Sequence, residues 1–213
     1  WIWARAKALT REVDRLFQAY QYGEAGRQIY EFFWSEYADW YLEIAKLQIA
    51  EGGERAFHTV DLAMRVLDIC LRMLHPFTPF VTEELWGRLK RAAQAVSDRL
   101  LPEDGAWAEA LIIARWPEPM PEENWEAKSI DNFNLVQEIV RSIRNLRAEK
   151  NVKVGQRLPA RIACSAEIAH RLRPLATVIA ALAWLDPGQF TIIASGTTSS
   201  PRPEGHVSLV VGP

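Results

Sequence analysis

The sequence predicts a mainly α protein, an antiparallel helix bundle over residues 1–150 followed by a small α/β appendage over 151–213. Three observations predict it. Apolar residues recur at three- and four-residue steps through most of the first 150 positions. A rigid corner, Leu74-His75-Pro76-Phe77-Thr78-Pro79-Phe80, separates two of these runs, because proline cannot continue a helix and restricts the residue before it. Beyond Asn151 the pattern changes to short alternating stretches bounded by turn residues.

Taken in order, residues 1 to about 21 form a first helix with Ile2, Ala6, Leu9, Val13, Leu16 and Phe17 on one face. Tyr22-Gly23-Glu24 is a tight joint, and a second helix follows to Ala50 with Ile29, Phe33, Trp40, Ile44 and Leu47 in a stripe. Glu36 falls within that stripe, where an unpaired carboxylate would be costly. It therefore needs a partner: a structural salt bridge to a neighbouring helix, or an arginine that it positions for a ligand. Glu51-Gly52-Gly53 ends the helix. A third helix carries Val60, Met64, Leu67, Leu71 and Leu74 as a narrow bundle seam. After the corner, with Phe77 and Phe80 expected as its packed filling, a fourth helix runs from Pro79 to Val96.

Residues 97–125 hold Pro102, Gly105, Pro117, Pro119 and Pro121 and read as a long irregular connection, with Ala110-Leu111-Ile112-Ile113-Ala114 as a short buried extended piece. A fifth helix from about Ile130 to Glu149 buries Leu135, Val136, Ile139, Val140, Ile143 and Leu146, with Arg141 and Arg144 pointing away and Arg147 on the boundary. In the appendage, a strand at Leu158–Cys164, a helix at Ala166–Leu182, a strand at Gln189–Ala194, a polar turn region at 196–203 and a strand at His206–Val211 are expected.

Hydrophobic residues make up 49% of the chain, enough for a sizeable core, and no apolar run approaches the roughly 20 residues of a membrane span. Isolated Cys70 and Cys164 suit a reducing cytoplasm, and four scattered histidines give no metal-ligand spacing. Without an initiating Met or a signal-peptide layout, the chain reads as an internal piece of a longer protein, expected to be monomeric. A net charge of −2 argues against a generic polyanion-coating protein, yet the charge is uneven. Acids dominate from Glu103 to Asp131, and cations dominate from Arg141 to Arg173, as a solvated face or a phosphate-facing patch.

The string from Leu74 through Thr82-Glu83-Glu84-Leu85-Trp86 resembles the corner in the anticodon-binding domain of class I aminoacyl-tRNA synthetases. Trp1-Ile2-Trp3-Ala4-Arg5, Tyr22-Gly23-Glu24-Ala25, Ile29-Tyr30-Glu31-Phe32-Phe33-Trp34, Trp40-Tyr41-Leu42-Glu43, Trp116-Pro117 and Ser142-Ile143-Arg144-Asn145-Leu146-Arg147-Ala148-Glu149 resemble, in order, blocks of the valyl-tRNA synthetase family. The resemblance implies tRNA(Val) as partner, together with the catalytic and editing domains of the same polypeptide. It also implies a coiled-coil arm after the appendage. Leucyl- and isoleucyl-tRNA synthetases share the bundle and variants of the corner, and remain alternatives, as does a helical protein-interaction module without RNA binding.

No H-I-G-H-like or K-M-S-K-S-like string, Gly-rich phosphate cradle or catalytic triad pattern is present, so no catalytic residue is expected in this chain. ATP and Mg would be used by the parent enzyme, with no cofactor in this piece. An anticodon loop offers unstacked bases and phosphates, which aromatic rings and guanidinium groups recognise. Trp1 and Arg5, four apart on one helix face, are the first candidates, then Arg11, with Arg144 and Arg147 as candidates for the phosphate backbone.

Overall fold

The computed structural model describes residues 1–102, 105–194, 207, 210 and 211. It divides into two compact units, Trp1–Glu126 and Ala127–Pro213.

The first unit is a helix bundle. Helix α1 (Ile2–Gln18) buries Ile2, Ala6, Leu9, Val13 and Leu16. The chain reverses through Tyr20, which takes a left-handed φ of 58°, so the joint lies just before the expected one, and α2 (Tyr22–Phe32) begins at the tyrosine. The single helix expected to run on to Ala50 is not uniform. Phe33–Tyr41 is a π-helix, and regular α-helix resumes as α3 (Leu42–Ala50). The wider i→i+5 turn brings residues four apart closer to one line, and Phe33, Tyr37 and Tyr41 stack in succession with centroids 5.9 Å apart at each step. The Tyr37 and Tyr41 hydroxyls donate to the carbonyls of Ala63 and Thr59, satisfying their polar ends inside the bundle.

Helix α4 (Gly53–Leu74) starts after Gly52 and Gly53, both with positive φ. It packs against α1, α2 and α3, and against α5 (Pro79–Val96). Neighbours on so many sides bury Val66 and then Asp68, Ile69, Cys70, Leu71, Arg72 and Met73 in consecutive run, so the expected narrow seam is in fact a helix enclosed over its last turns. At the corner, Phe77 meets Gly26 and the ring of Phe17, where a Cβ on Gly26 would lie 3.1 Å from the Phe77 ring. Phe80 is 90% exposed and fills nothing, contrary to expectation.

The connection after α5 is fastened to the bundle by polar contacts at intervals. Trp107 packs on Trp86 edge-on at 5.3 Å and donates to the Leu100 carbonyl, while Lys90 donates to that of Ala108. The expected buried extended piece is a 3₁₀ turn, Leu111–Ile113. Only Leu111 is buried, because the Glu83 carboxylate accepts from the backbone N–H groups of Leu111 and Ile112 and caps the turn, leaving Ile112 and Ile113 outside.

In the second unit, α6 (Glu126–Glu149) buries Phe133, Val136, Ile139 and Val140 from Ala127 onward. It is followed by β1 (Leu158–Cys164), α7 (Ala166–Leu172), a 3₁₀ turn at Arg173–Leu175, α8 (Ala176–Leu182) and β2 (Leu185–Ala194). The expected Ala166–Leu182 helix is split where Pro174 removes a backbone donor. The strands pair in parallel, with Arg161 opposite Thr191, and an irregularity at Asp186–Gln189 interrupts the register. Ser165 caps α7 by accepting from Ile168 N–H, and Arg171 donates to Asn132 of α6 at 2.6 Å. The polar turn at 196–203 lies outside the described residues, as do His206, Ser208 and Leu209 of the third strand expected at His206–Val211. Among the described residues no helix is long and apolar enough to cross a membrane.

Candidate nucleic-acid interface

The start of α1 carries three cations beside its apolar stripe: Lys7 and Arg11, four positions apart on one side, and Arg5 on another. Each meets a different environment.

Arg5 is gripped side-on by Glu36 of the π-helical segment. Its Nε donates to Oε2 at 2.7 Å and its Nη2 to Oε1 at 2.6 Å, a bidentate pair of the strong kind. These hydrogen bonds raise the Arg5 pKa above its ordinary value, against the opposing effect of burial. The arginine side chain keeps 36% of its exposure and the carboxylate 21%, and Nη1 is left without a hydrogen bond among the described residues. Glu36 thus has the inter-helix partner its position in the stripe required.

Lys7 and Arg11 converge on one carboxylate. Glu126 is 1% exposed and accepts from Lys7 Nζ at 2.6 Å, from Arg11 Nη2 at 2.8 Å and from the Glu123 backbone N–H at 3.1 Å. Burial pushes its carboxyl up, but the hydrogen bonds from Lys7, Arg11 and the backbone outweigh it and hold the pKa at about 2. Arg11 also donates to the Met120 carbonyl, and Lys7 to Glu123. This network closes the irregular connection onto α1 and was not foreseen, since Glu126 was one acid among many in that stretch.

Trp1 is partly buried and packs, with Trp3, against the main apolar cluster of the bundle. Trp40 is a core residue, as its place in the stripe indicated, and so is Trp86. Besides Phe80, the most exposed ring is one that was not among the candidates. Tyr20 is 80% exposed, at the α1–α2 joint, with Tyr22 perpendicular to it at 6.3 Å and braced by Phe17 at 5.2 Å. The left-handed turn at Tyr20 holds its ring off the bundle. A bulky residue falling just past the end of the apolar stripe was the available signal.

A second buried ion pair sits deeper in the bundle. Asp68 accepts from Arg72 Nε at 3.0 Å through both oxygens and from Trp86 Nε1 at 2.6 Å. Arg72 also donates to the Arg115 carbonyl. The pair borders a cavity of about 280 Å³ that Thr10, Ile69 and Trp116 help to line.

In the second unit, Arg144 and Arg147 are held by main-chain acceptors. Arg144 Nε donates to the Leu182 carbonyl at 3.0 Å, and Arg147 donates to those of Trp184 and Gln156. Leu182 ends α8 and Trp184 has a φ of 55°, so both arginines bind carbonyls left open by the helix terminus. Arg5 and Arg11 therefore share α1, with Trp1 at its N-cap, whereas Arg144 and Arg147 belong to the other unit.

Residues 1–162 match the family model described as the anticodon-binding domain of tRNA ligase. Valine–tRNA ligases of Bacillus licheniformis and Bacillus subtilis are each 35% identical over 174 residues, 81% of this chain and 18% of theirs. That of Rhodopirellula baltica is 34% identical over 183 residues, 86% of this chain and 17% of its own. The chain thus spans less than a fifth of these relatives' length. With a helix bundle, a proline corner and a match across three quarters of its length, the chain belongs to the anticodon-binding domain family of tRNA ligases.

Proposed function

We propose that the chain recognises the anticodon stem-loop of tRNA(Val) and positions that tRNA for ATP-dependent aminoacylation by a catalytic domain of the same polypeptide outside this segment. The family match over the whole bundle carries this reading, and the valine–tRNA ligase names of its relatives favour valine over leucine or isoleucine. ATP and Mg serve the catalytic domain, and an editing domain is a further partner on the same chain. Unpaired Cys70 and Cys164 agree with a reducing, cytoplasmic setting, and the segment acts as a monomer.

Arg5, held by Glu36 with Nη1 open, supplies a fixed guanidinium, and Trp1 lies one turn before it. Tyr20 and Tyr22 offer flat faces, and stacking one base on such a ring contributes about 1–3 kcal/mol. Arg5 and Tyr20 stand at opposite ends of α1, roughly 20 Å apart at helical rise, a span suited to a stem-loop rather than a single base. Arg11 supports the same helix through Glu126, and Arg144 and Arg147 add positive charge in the second unit.

The test is a competition titration with full-length transcripts. A valine tRNA should displace labelled valine anticodon stem-loop at least tenfold more effectively than the same tRNA carrying a leucine anticodon loop. Equal displacement by both, or none at low salt, would contradict the reading.

A further inference from the structure

The two units differ in charge. Residues 1–126 contain 21 Asp and Glu against 14 Lys and Arg, whereas residues 127–213 contain 6 against 11. Within the residues 1–162 that match the family, the first unit is therefore the acidic part and the basic excess falls after Glu126. Ten of the first unit's 14 cations are paired with carboxylates, among them Arg15 with Glu12, Arg27 with Glu24 and Glu31, Lys46 with Glu43, Arg55 with Glu51 and Arg88 with Glu84, while Lys90, Arg91, Arg99 and Arg115 are scattered singly without an ion pair among the described residues. Phosphate affinity needs positive charge that no carboxylate already compensates.

The second unit holds such charge, concentrated where α6 passes into β1. Residues 147–161 carry Arg147, Lys150, Lys153, Arg157 and Arg161 against Glu149 alone. The turn is a fixed structure. Asn151 and Gly155 have φ of 51° and 82°. The backbone N–H of Val152 donates to Arg147, that of Gln156 to Lys153, and the Arg147 guanidinium holds the Gln156 carbonyl at 2.7 Å. Arg157 donates to the Leu185 carbonyl. A guanidinium bound to neutral carbonyls keeps its full charge, so Arg147 and Arg157 shape the turn and remain positive. Lys150, Lys153 and Arg161 are exposed and have no acidic partner among the described residues. Arg161 is one of the exposed positions that alternate with half-buried ones along β1.

We propose that this turn and the outward edge of β1, through Lys150, Lys153 and Arg161, form a contact surface for the RNA phosphate backbone. The proposal rests on the reading that the chain binds tRNA, and assigns the sequence-independent share of that binding to the second unit. The contact is electrostatic and takes any stretch of backbone, so it adds affinity without selecting the anticodon.

The test uses the whole chain, a valine tRNA transcript and the variant K150Q/K153Q/R161Q, with affinity measured from 0.05 to 0.2 M salt. Each lost phosphate contact lowers the slope of log K against log salt by about 0.7–0.9, so the triple variant should be shallower by about 2. At 0.1 M salt it should bind up to about a hundredfold more weakly, by the same factor for the valine transcript and for one with a substituted anticodon loop. The charge-conserving variant K150R/K153R/R161K should restore the wild-type slope. A triple variant with wild-type slope and affinity overturns the proposal while leaving the proposed function standing. So does a loss that depends on the anticodon, or one that the charge-conserving variant fails to restore. A wild-type chain that binds neither transcript withdraws both.

Discussion

Replacing Arg5 with Ala separates a binding role from a structural one. The Arg5–Glu36 pair is well aligned but partly exposed, at 36% and 21%, and exposed pairs contribute between 0 and about 1 kcal/mol to stability. Taking the upper end for a bidentate pair, R5A should lower Tm by about 2–4 °C for a chain of this size. Arg5 lies beside the apolar stripe of Ile2, Ala6 and Leu9, so no cavity opens. Binding should respond far more. A hydrogen bond from a charged donor is worth about 1.5–3 kcal/mol, which corresponds to a roughly 10- to 150-fold loss of affinity for a valine anticodon stem-loop. Arg5→Lys keeps the charge but not the fork that Glu36 grips, and should fall between the two. Fluorescence anisotropy with the labelled stem-loop and thermal unfolding followed by circular dichroism give the two numbers. An R5A protein of near-native Tm and unchanged affinity refutes the role given to Arg5. A drop in Tm above 10 °C, with weaker binding explained by the unfolded fraction, shows that the arginine serves the fold instead.

Other perturbations test the polar interior. Asp68→Ala leaves the Arg72 charge and the Trp86 indole N–H buried without their acceptor, and should cost about 3–5 kcal/mol by urea denaturation. A cost below 1 kcal/mol would mean that water from the neighbouring cavity replaces the carboxylate. Glu126 has its pKa depressed from 4.5 to about 2, so its stabilising share is present above pH 4.5 and disappears as pH falls toward 2. Glu126→Gln should be less stable than wild type at pH 6, with the gap closing across that window, and a gap constant with pH would refute the assignment. Burial pushes the Cys70 thiol well above its ordinary range, so a thiol reagent should label Cys164 in the folded protein and reach Cys70 only with unfolding. Prompt labelling of both would contradict the packing around α4.

Where local chemistry alone sets an element, the sequence was legible. Helix α5 begins at Pro79, a first-turn proline after the corner, and β1 is bounded by Arg157 and Ser165 with strict alternation between them; both have the bounds read from the residues. Glu36 announced its need for a partner because a carboxylate stood in an apolar stripe, though only the fold shows Arg5 supplying it. The π-helix at Phe33–Tyr41 was hidden, because aromatics four apart suit an α-helix as well. The enclosure of α4 was hidden for a different reason. Burial on several sides depends on which helices surround it, and the narrow seam of Val60, Met64, Leu67, Leu71 and Leu74 gave no sign of the buried Asp68 and Arg72 beside it. Of the site, Arg5 was legible as a cation off the stripe. Tyr20 gave only a weak signal, a bulky residue past the end of the stripe, because its exposure follows from the left-handed turn in the joint.

Nuclease footprinting of a full-length valine tRNA transcript on this chain tests the central claim most directly. The account predicts protection of the anticodon loop bases and of adjoining backbone, lost for the bases in R5A. Protection spread evenly along the transcript, or confined to the acceptor arm, would contradict it.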